Sequence, residues 1–412
     1  MANSGAAQGA GKHALAFIFV TIVIDSMGLG IILPVLPKLI ATLIHGGMDD
    51  AARYGAWLAF SYAGMQFLFS PLLGNLSDRF GRRPILILSL LGIGVDYAIM
   101  GLAPTIGWLF LGRVLSGFAG ASYTTASAYI ADVAPPEKRA QSFGMVGAAF
   151  GIGFVVGPAL GGLIGEYGVR LPFFAASAFG FLNALYGFVV LKESLAKEHR
   201  RKFELWRANP LGALIALKRY PIILPLCAVL VLMRIAHDAN PVVFSYYTME
   251  KFAWGPQQVG WSLMVVGIVV AIAYSTLPRL VPKIGERAAV YLGLSGGAIS
   301  FAGYALSTQG WMIYAFMLPF GLMAIAMPAI NALLSKVVGP KSQGELQGAL
   351  ASLGGLTSVV SPLFLGNLFA YTSDRHHGAF YFPGAAFMAS AICLVLAMAL
   401  FAIIRPVARA AS

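Results

Sequence analysis

Apolar runs of about 20 residues, the length a transmembrane helix needs, recur along the whole chain and alternate with polar turns. Twelve such stretches are predicted to be helices, at 14–34, 55–74, 84–103, 107–131, 141–163, 172–191, 221–249, 257–280, 287–307, 311–333, 344–370 and 379–404. Most connections are short. The exception is 192–220, which carries Lys192, Lys197, Arg200, Arg201, Lys202, Arg207, Lys218 and Arg219. It divides the chain into a six-helix bundle at 1–191 and a second at 221–412, joined by a cytoplasmic linker. The predicted fold class is all-α integral membrane, with two pseudo-symmetric bundles.

Composition sharpens this picture. Hydrophobic residues make up 58% of the 412-residue chain and charged residues 11%, against about 25% charged in a soluble domain. So little charge cannot solvate a globular surface of this size, and lipid is the expected solvent. The formal charge of +12 is distributed as a topology signal. With both termini cytoplasmic, the outward loops hold only Lys38, Arg53, Arg170, Lys251 and Arg375. Apart from Arg113 and Arg234, which lie within spans, every other Lys and Arg falls on the cytoplasmic side, the asymmetry that sets orientation. Basic charge so placed meets anionic lipid, and no nucleic-acid partner is needed to explain it. Cys227 and Cys393 lie in apolar runs outside any CxxC or Cys/His cluster, so no metal, disulfide or cofactor is expected. The first apolar run continues as a full span through Asp25, unlike a cleaved signal with its short apolar region.

The two halves also repeat. An offset of 204 carries Gly81 to Gly285, Arg83 to Arg287, Pro136 to Pro340, Gly144 to Gly348, Pro158 to Pro362 and Gly162 to Gly366. A constant offset across loops and helices points to parallel repeats about an axis along the membrane normal, with a site between them near the midplane.

Three strings carry specific chemistry. The turn after the second span reads Gly74-Asn-Leu-Ser-Asp78-Arg79-Phe-Gly81-Arg82-Arg83-Pro84, an acid at one helix end facing cations at the next, fit to latch two helices in one conformation and release them in another. The fourth span carries Arg113 in Leu111-Gly112-Arg113-Val-Leu-Ser-Gly117. A cation at that depth costs about 2.5–3.5 kcal/mol on an insertion scale, so it faces protein or water. A purely structural alternative is a guanidinium bound to backbone carbonyls. The fifth span reads Gly153-Phe-Val-Val-Gly157-Pro158-Ala-Leu-Gly161-Gly162, with glycines that allow close helix contact and a proline that removes a hydrogen bond.

The first string resembles the signature loop of the major facilitator superfamily, and Asp132 matches the acid that joins that latch. The second half keeps a worn copy, Arg279-Leu-Val-Pro-Lys283-Ile-Gly285-Glu286-Arg287, without the acid of the loop. The Arg113 string resembles the family's helix-4 motif, implicated in proton transfer, and the glycine string resembles the motif of its antiporter branch. Asp25-Ser-Met-Gly28-Leu-Gly30 through Pro34 and Pro37 is similar to the helix-1 signature of twelve-helix drug/proton antiporters. Val95-Asp96-Tyr97-Ala98-Ile99-Met100, Met327-Pro328-Ala329 and Gly344-Glu-Leu-Gln347-Gly348 resemble the tetracycline-efflux family. The resemblance runs over nearly the whole chain and implies a major facilitator fold. One departure stands out. That family carries a His in helix 8 and an acid in helix 9, where this chain has Val270 and Gly297.

Ionisable side chains deep in the spans are the candidates for proton coupling: Asp25, Asp96, Arg113, Arg234, His237 and Asp238. Asp25 and Asp96 lie about 16–18 Å along their helices from the cytoplasmic ends, near the midplane. Asp25 has no cation in its own helix, and Arg113 is its expected neighbour. Arg234, His237, Asp238 and Pro241 share one helix face by their i, i+3, i+4, i+7 spacing. Arg234 and Asp238 either neutralise each other or face a cavity, and His237 is either a hydrogen-bonded packing residue or a group that titrates near neutral pH. Gln66, Phe69, Asn240, Phe244, Tyr247, Asn331 and Gln347 are the candidates for lining a substrate cavity.

The expected function is proton-coupled export of an amphipathic, drug-like molecule across a bacterial inner membrane, the protein acting as a monomer. The alternatives are a symporter importing an organic nutrient, disfavoured by the fifth-span motif, and a membrane enzyme or sensor. The last has no nucleophile–base pair, metal cluster or phosphate loop to support it. Topology is directly testable. A cysteine placed next to Arg200 should resist an impermeant thiol reagent outside intact cells while one at Asp49 reacts; outside labelling of the linker would contradict the assigned orientation.

Overall fold

The computed structural model describes residues 2–404 apart from 121, 136–138, 202, 204–222, 338–342 and 375–380. Pro136, Pro340, Arg375, Lys202, Arg207, Lys218 and Arg219 lie outside the described residues. The first half contains α1 (Ala2–Ile32), α2 (Leu36–Ile44), α3 (Met48–Phe80), α4 (Arg82–Leu102), α5 (Ile106–Ala119), α6 (Ser122–Val133), α7 (Arg139–Tyr167) and α8 (Leu171–Val190). The second contains α9 (Leu224–Phe252), α10 (Pro256–Ile284), α11 (Glu286–Leu306), α12 (Gly310–Val337), α13 (Gln343–Ser373) and α14 (Ala385–Ile403). Among the described residues the regular structure is helical throughout, as lipid demands of a chain whose backbone groups must be satisfied internally.

Among the described residues eleven helices are long and apolar enough to cross a membrane. The expected span at 107–131 is present as two successive helices, α5 of 14 residues and α6 of 12, each too short alone. α5 ends at Gly120, where helix propensity is low. The Gly120 carbonyl accepts a hydrogen bond from Gln66 Nε2 at 3.1 Å, so the interruption does not leave that carbonyl bare at membrane depth.

The chain forms two compact units, Met1–Leu39 with Ser61–Asn209 and Pro256–Met264, and Ile40–Phe60 with Pro210–Gly255 and Val265–Ser412. In the first, α1 packs on α7 and α8, and α4 packs on α5, α6 and α8. Phe17, Ile18, Ile22, Leu86, Leu90, Tyr129 and Ile130 make its apolar core. In the second, α11 lies on α12 and α14, and α9 on α13 and α14. Its centre is aromatic: Phe387 contacts Tyr247, Tyr304, Phe301 and Phe244 with ring centroids 4.9, 5.4, 6.0 and 6.5 Å away.

The internal repeat survives in detail. Gly81 and Gly285, 204 apart, precede α4 and α11 with φ of 107° and 80°, a left-handed entry that glycine alone adopts freely. The next repeated pair acts alike. Arg83 Nη2 donates to the Phe188 carbonyl at 2.7 Å and Arg287 Nη1 to that of Ile404 at 3.0 Å, each guanidinium lying over a nearby ring, Phe188 or Phe401. The same offset carries Arg82 to Glu286 and Asp132 to Lys336. Arg82 pairs with Asp132 at 3.2 Å, and Lys336 pairs with Glu286 at 2.6 Å. The second copy of this contact therefore keeps its geometry and reverses its charges, where the sequence predicted a loop worn of its acid. With Cys227 and Cys393 replaced, Glu286→Cys/Lys336→Cys should crosslink rapidly with a short bifunctional thiol reagent. Failure to crosslink would contradict the reversed pair.

Candidate functional site

Inside the first unit α1, α3, α4, α5, α6 and α7 enclose a cavity of about 280 Å³. Its polar lining is Thr21, Asp25, Ser26, Tyr62, Gln66, Tyr97, Arg113 and Ser116. Of the predicted coupling residues, the structure brings Asp25, Asp96 and Arg113 to this place. Arg113 forms its ion pair with Asp96, which is 0% exposed while Arg113 is 6% exposed. Asp25, the acid expected beside Arg113, lines the same cavity, but the guanidinium's salt bridge goes to α4. Gly112 makes this possible: a Cβ there would lie 2.6 Å from Asp96 Oδ1. The guanidinium also lies over the rings of Tyr62 and Tyr97, 5.5 and 5.9 Å from their centroids, a favourable cation–π placement. The cation is thus held on several sides, with Asp96 buried behind it and Asp25 on the cavity wall. A small void of about 10 Å³ on the far side of Asp25 is lined by Asn183, Tyr97 and Gly180.

The predicted latch is assembled at the end of α3. Arg82 Nη1 reaches Asp78 Oδ1 at 2.5 Å and donates to Ser77 Oγ at 2.6 Å, while its Nε reaches Asp132 Oδ2. Ser77 Oγ in turn donates to the Gly74 carbonyl at 2.8 Å. Arg79 is exposed over the Phe80 ring. Glu193, which sequence reasoning passed over as part of a charged connection, completes the latch. Its carboxylate accepts from the amides of Arg82 and Arg83 at 2.8 and 3.4 Å, so it caps the N-terminus of α4 from a distant segment. Ser194 Oγ donates to Asp132 Oδ2 and the Arg201 amide to the Asp78 carbonyl, both at 3.1 Å. The signal was present as an acid followed by a serine just after a helix, but nothing in sequence spacing links positions over a hundred residues apart.

The glycine string on α7 serves two contacts. A Cβ on Gly153 would lie 2.7 Å from Ser26 Cβ, and one on Gly157 3.0 Å from Gly30 Cα. Gly161 meets the Ile31 backbone in the same way, and Pro158 abuts Gly30. Gly162 faces α10, where a Cβ would sit 3.1 Å from Gly260 Cα. α1, which carries Asp25, is therefore seated against α7 backbone to backbone.

The second unit separates the remaining candidates. Among the described residues no ion pair joins Arg234 to Asp238, so of the two readings left open by the sequence the structure does not show mutual neutralisation. Asp238 instead faces His237, with Oδ1 3.8 Å from Nδ1, and the imidazole stacks on Phe320. Phe244 and Tyr247, expected at a cavity wall, are both 0% exposed in the aromatic core, where the Tyr247 hydroxyl donates to the Tyr304 carbonyl. Their helix face turns toward α11 and α14 because aromatic area is worth most when buried. Gln66 lines the first-unit cavity, and Phe69 packs edge-on against Phe118. Asn240 is buried, Asn331 half-buried and Gln347 exposed. Val270 is half-buried and Gly297 buried against Leu394 and Met323, so α10 and α11 carry no ionisable group at those places. Among the described residues no three of His, Cys, Asp and Glu gather as a metal site requires.

The sequence profile of the Major Facilitator Superfamily matches residues 18–362 and 226–412. The tetracycline resistance protein of class C from Escherichia coli is 38% identical over 376 residues, 91% of this chain and 94% of that protein. Multidrug resistance protein 2 of Bacillus subtilis (strain 168) is 30% identical over 87% of this chain and 89% of its own. The crystal structure of the human organic anion transporter MFSD10 (TETRAN) covers 95% of this chain and 99% of its own with a TM-score of 0.69 at 21% identity, a likeness of fold. With the signature loop, the helix-4 arginine and the α7 glycines in place, the chain belongs to the Major Facilitator Superfamily, in the branch that contains the tetracycline resistance proteins.

Proposed function

We propose that the protein is a proton-coupled antiporter of a bacterial inner membrane, both termini cytoplasmic, which exports an amphipathic, drug-like molecule by alternating access. The observation that carries this reading is one guanidinium at the first-unit cavity with two acids near it, Asp96 buried behind it as its ion-pair partner and Asp25 on the cavity wall. Arg113 forms its ion pair with Asp96, and Asp25 is the acid on the cavity wall, so a proton gained or lost there changes the charge at the wall by one unit. Loss of that proton changes the charge an incoming molecule meets in a low-dielectric site, where charge is expensive. Protonation and substrate binding then oppose each other, which is the requirement for exchange. Export rather than import is supported by the α7 glycine string and by likeness to proteins named for tetracycline and multidrug resistance. The six-helix halves at 1–191 and 221–412, joined by 192–220, are the bodies proposed to move.

A potential of 100 mV supplies about 2.3 kcal/mol per charge moved, enough for a gradient of about 40-fold. In proteoliposomes with an imposed pH gradient and potential, wild type should concentrate substrate toward that ratio, and Asp25→Asn should fall to equilibration while still binding. Asp96→Asn should chiefly destabilise the protein, by about 3–5 kcal/mol, because it strands a buried cation. Asp96→Asn/Arg113→Gln should recover much of that loss. Uphill export by Asp25→Asn would overturn the assignment of the proton to that carboxylate.

A further inference from the structure

The second unit holds a group of polar side chains that the first-unit cavity leaves unused. Arg234 Nε and Asp238 Oδ2 are buried without a hydrogen-bond partner, and so are both amide atoms of Asn240, a residue only 7% exposed. Buried polar atoms are nearly always paired, and four such atoms on one helix turn and a half are a concentrated exception. Arg234 and Asp238 stand at i and i+4, the spacing at which such side chains readily meet, yet no ion pair joins them among the described residues. Each is turned elsewhere. The Arg234 guanidinium lies over Gly354 of α13, where an added Cβ would come 3.2 Å from Cζ, so glycine at that position makes room for it. His237 lies toward α12, its ring 6.3 Å from that of Phe320 and its side chain 59% exposed. A polar face between α12 and α13 is unsuited to lipid, and ionisable side chains in spans mark wet or ligand-bearing interiors.

We propose that Arg234, His237 and Asp238 form a substrate site for a planar zwitterion, with Arg234 taking its anionic oxygen and Asp238 its ammonium. The two charged side chains are separated by about 6 Å of helix rise, so one molecule carrying both charges can satisfy both. The stacked His237 and Phe320 rings offer a flat surface beside them. This inference rests on the exporter reading and adds to it the class of molecule carried. It also accounts for the placement of charge in this unit, where α10 and α11 present Val270 and Gly297 and the ionisable groups stand on α9.

The test uses norfloxacin, a planar zwitterion, with its ethyl ester, which lacks the anion, and its N-acetyl derivative, which lacks the ammonium. Binding is read on purified full-length protein by fluorescence, apart from transport. Wild type should bind norfloxacin at least about tenfold more tightly than either derivative, a difference of about 1.4 kcal/mol. Arg234→Gln should lose the preference over the ester, and Asp238→Asn the preference over the N-acetyl compound, each keeping its affinity for the derivative that already lacks the matching group. Unchanged affinity for that derivative also shows that the variant is folded. Gly354→Ala, which crowds the guanidinium, should weaken norfloxacin and leave the ester unaffected. The charge exchange Arg234→Asp/Asp238→Arg should abolish the preference, whereas a pair serving only to neutralise itself would tolerate the exchange. Equal binding of the three compounds by wild type, whether tight or absent, or norfloxacin binding unaltered in Arg234→Gln, overturns the site. Discriminating binding without uphill export in vesicles would instead count against the exporter reading.

Discussion

The pairing of Arg113 with Asp96 is the interaction on which the first unit depends, because a lone charge at that depth is intolerable and a paired one is merely costly. Its requirements reach into the surrounding sequence. Gly112 must lack a side chain for Asp96 to fit, and Tyr62 and Tyr97 turn their faces to the guanidinium. Gln66 must serve the open carbonyl where α5 stops at Gly120. Buried ion pairs are poor sources of stability compared with apolar packing, so the bundle carries this one for what it does. It fixes the cation beside the cavity that Asp25 also lines, and Asp25 is the acid proposed to carry the moving proton.

Holding Asp25 in place is the task of close packing. α1 lies along α7 at a separation set by glycine, and a methyl group on Gly153 or Gly157 would meet α1 within van der Waals contact. At the cytoplasmic-predicted end, the latch joins α3, α4 and α6 through Asp78, Arg82 and Asp132, and Glu193 pins the first turn of α4. α4 carries Asp96 about 20 Å along its axis from that turn. Charge pairs at a helix end and a charge pair in mid-helix are therefore connected by one rigid rod. The corresponding contact between Glu286 and Lys336 gives the second unit the same bracing with opposite polarity.

Much of this was legible in the sequence. Hydrophobic runs fix helices because lipid leaves no other way to satisfy the backbone, and the observed helices fall on the expected spans except for α2, which lies in an expected connection, and for α5 and α6, which divide one span. Gly81 and Gly285 were legible through their common offset, and both have the left-handed backbone that explains the glycine. The partner of Arg113 was not legible, since Asp25 and Asp96 lie at equal depth and helix periodicity says nothing of which neighbour a long guanidinium selects. The Glu286–Lys336 pair escaped because a repeat is usually sought by residue identity, whereas here it is conserved in position and inverted in charge. Phe244 and Tyr247 follow shortly after polar residues on α9, but a helix presents different faces every few residues, and these two turn into the core.

The claim that Asp25 is the carboxyl that gains and loses the transported proton can be tested without knowing the substrate. Infrared difference spectra between acidic and alkaline pH, recorded on purified protein in lipid, report the carbonyl stretch of a protonated carboxyl directly. Wild type should show such a band, Asp25→Asn should lack it, and a conservative change at the α9 acid, Asp238→Asn, should retain it. Persistence of the band in Asp25→Asn, with its loss in Asp238→Asn, would place the proton in the second unit and contradict the role given to the cavity around Arg113.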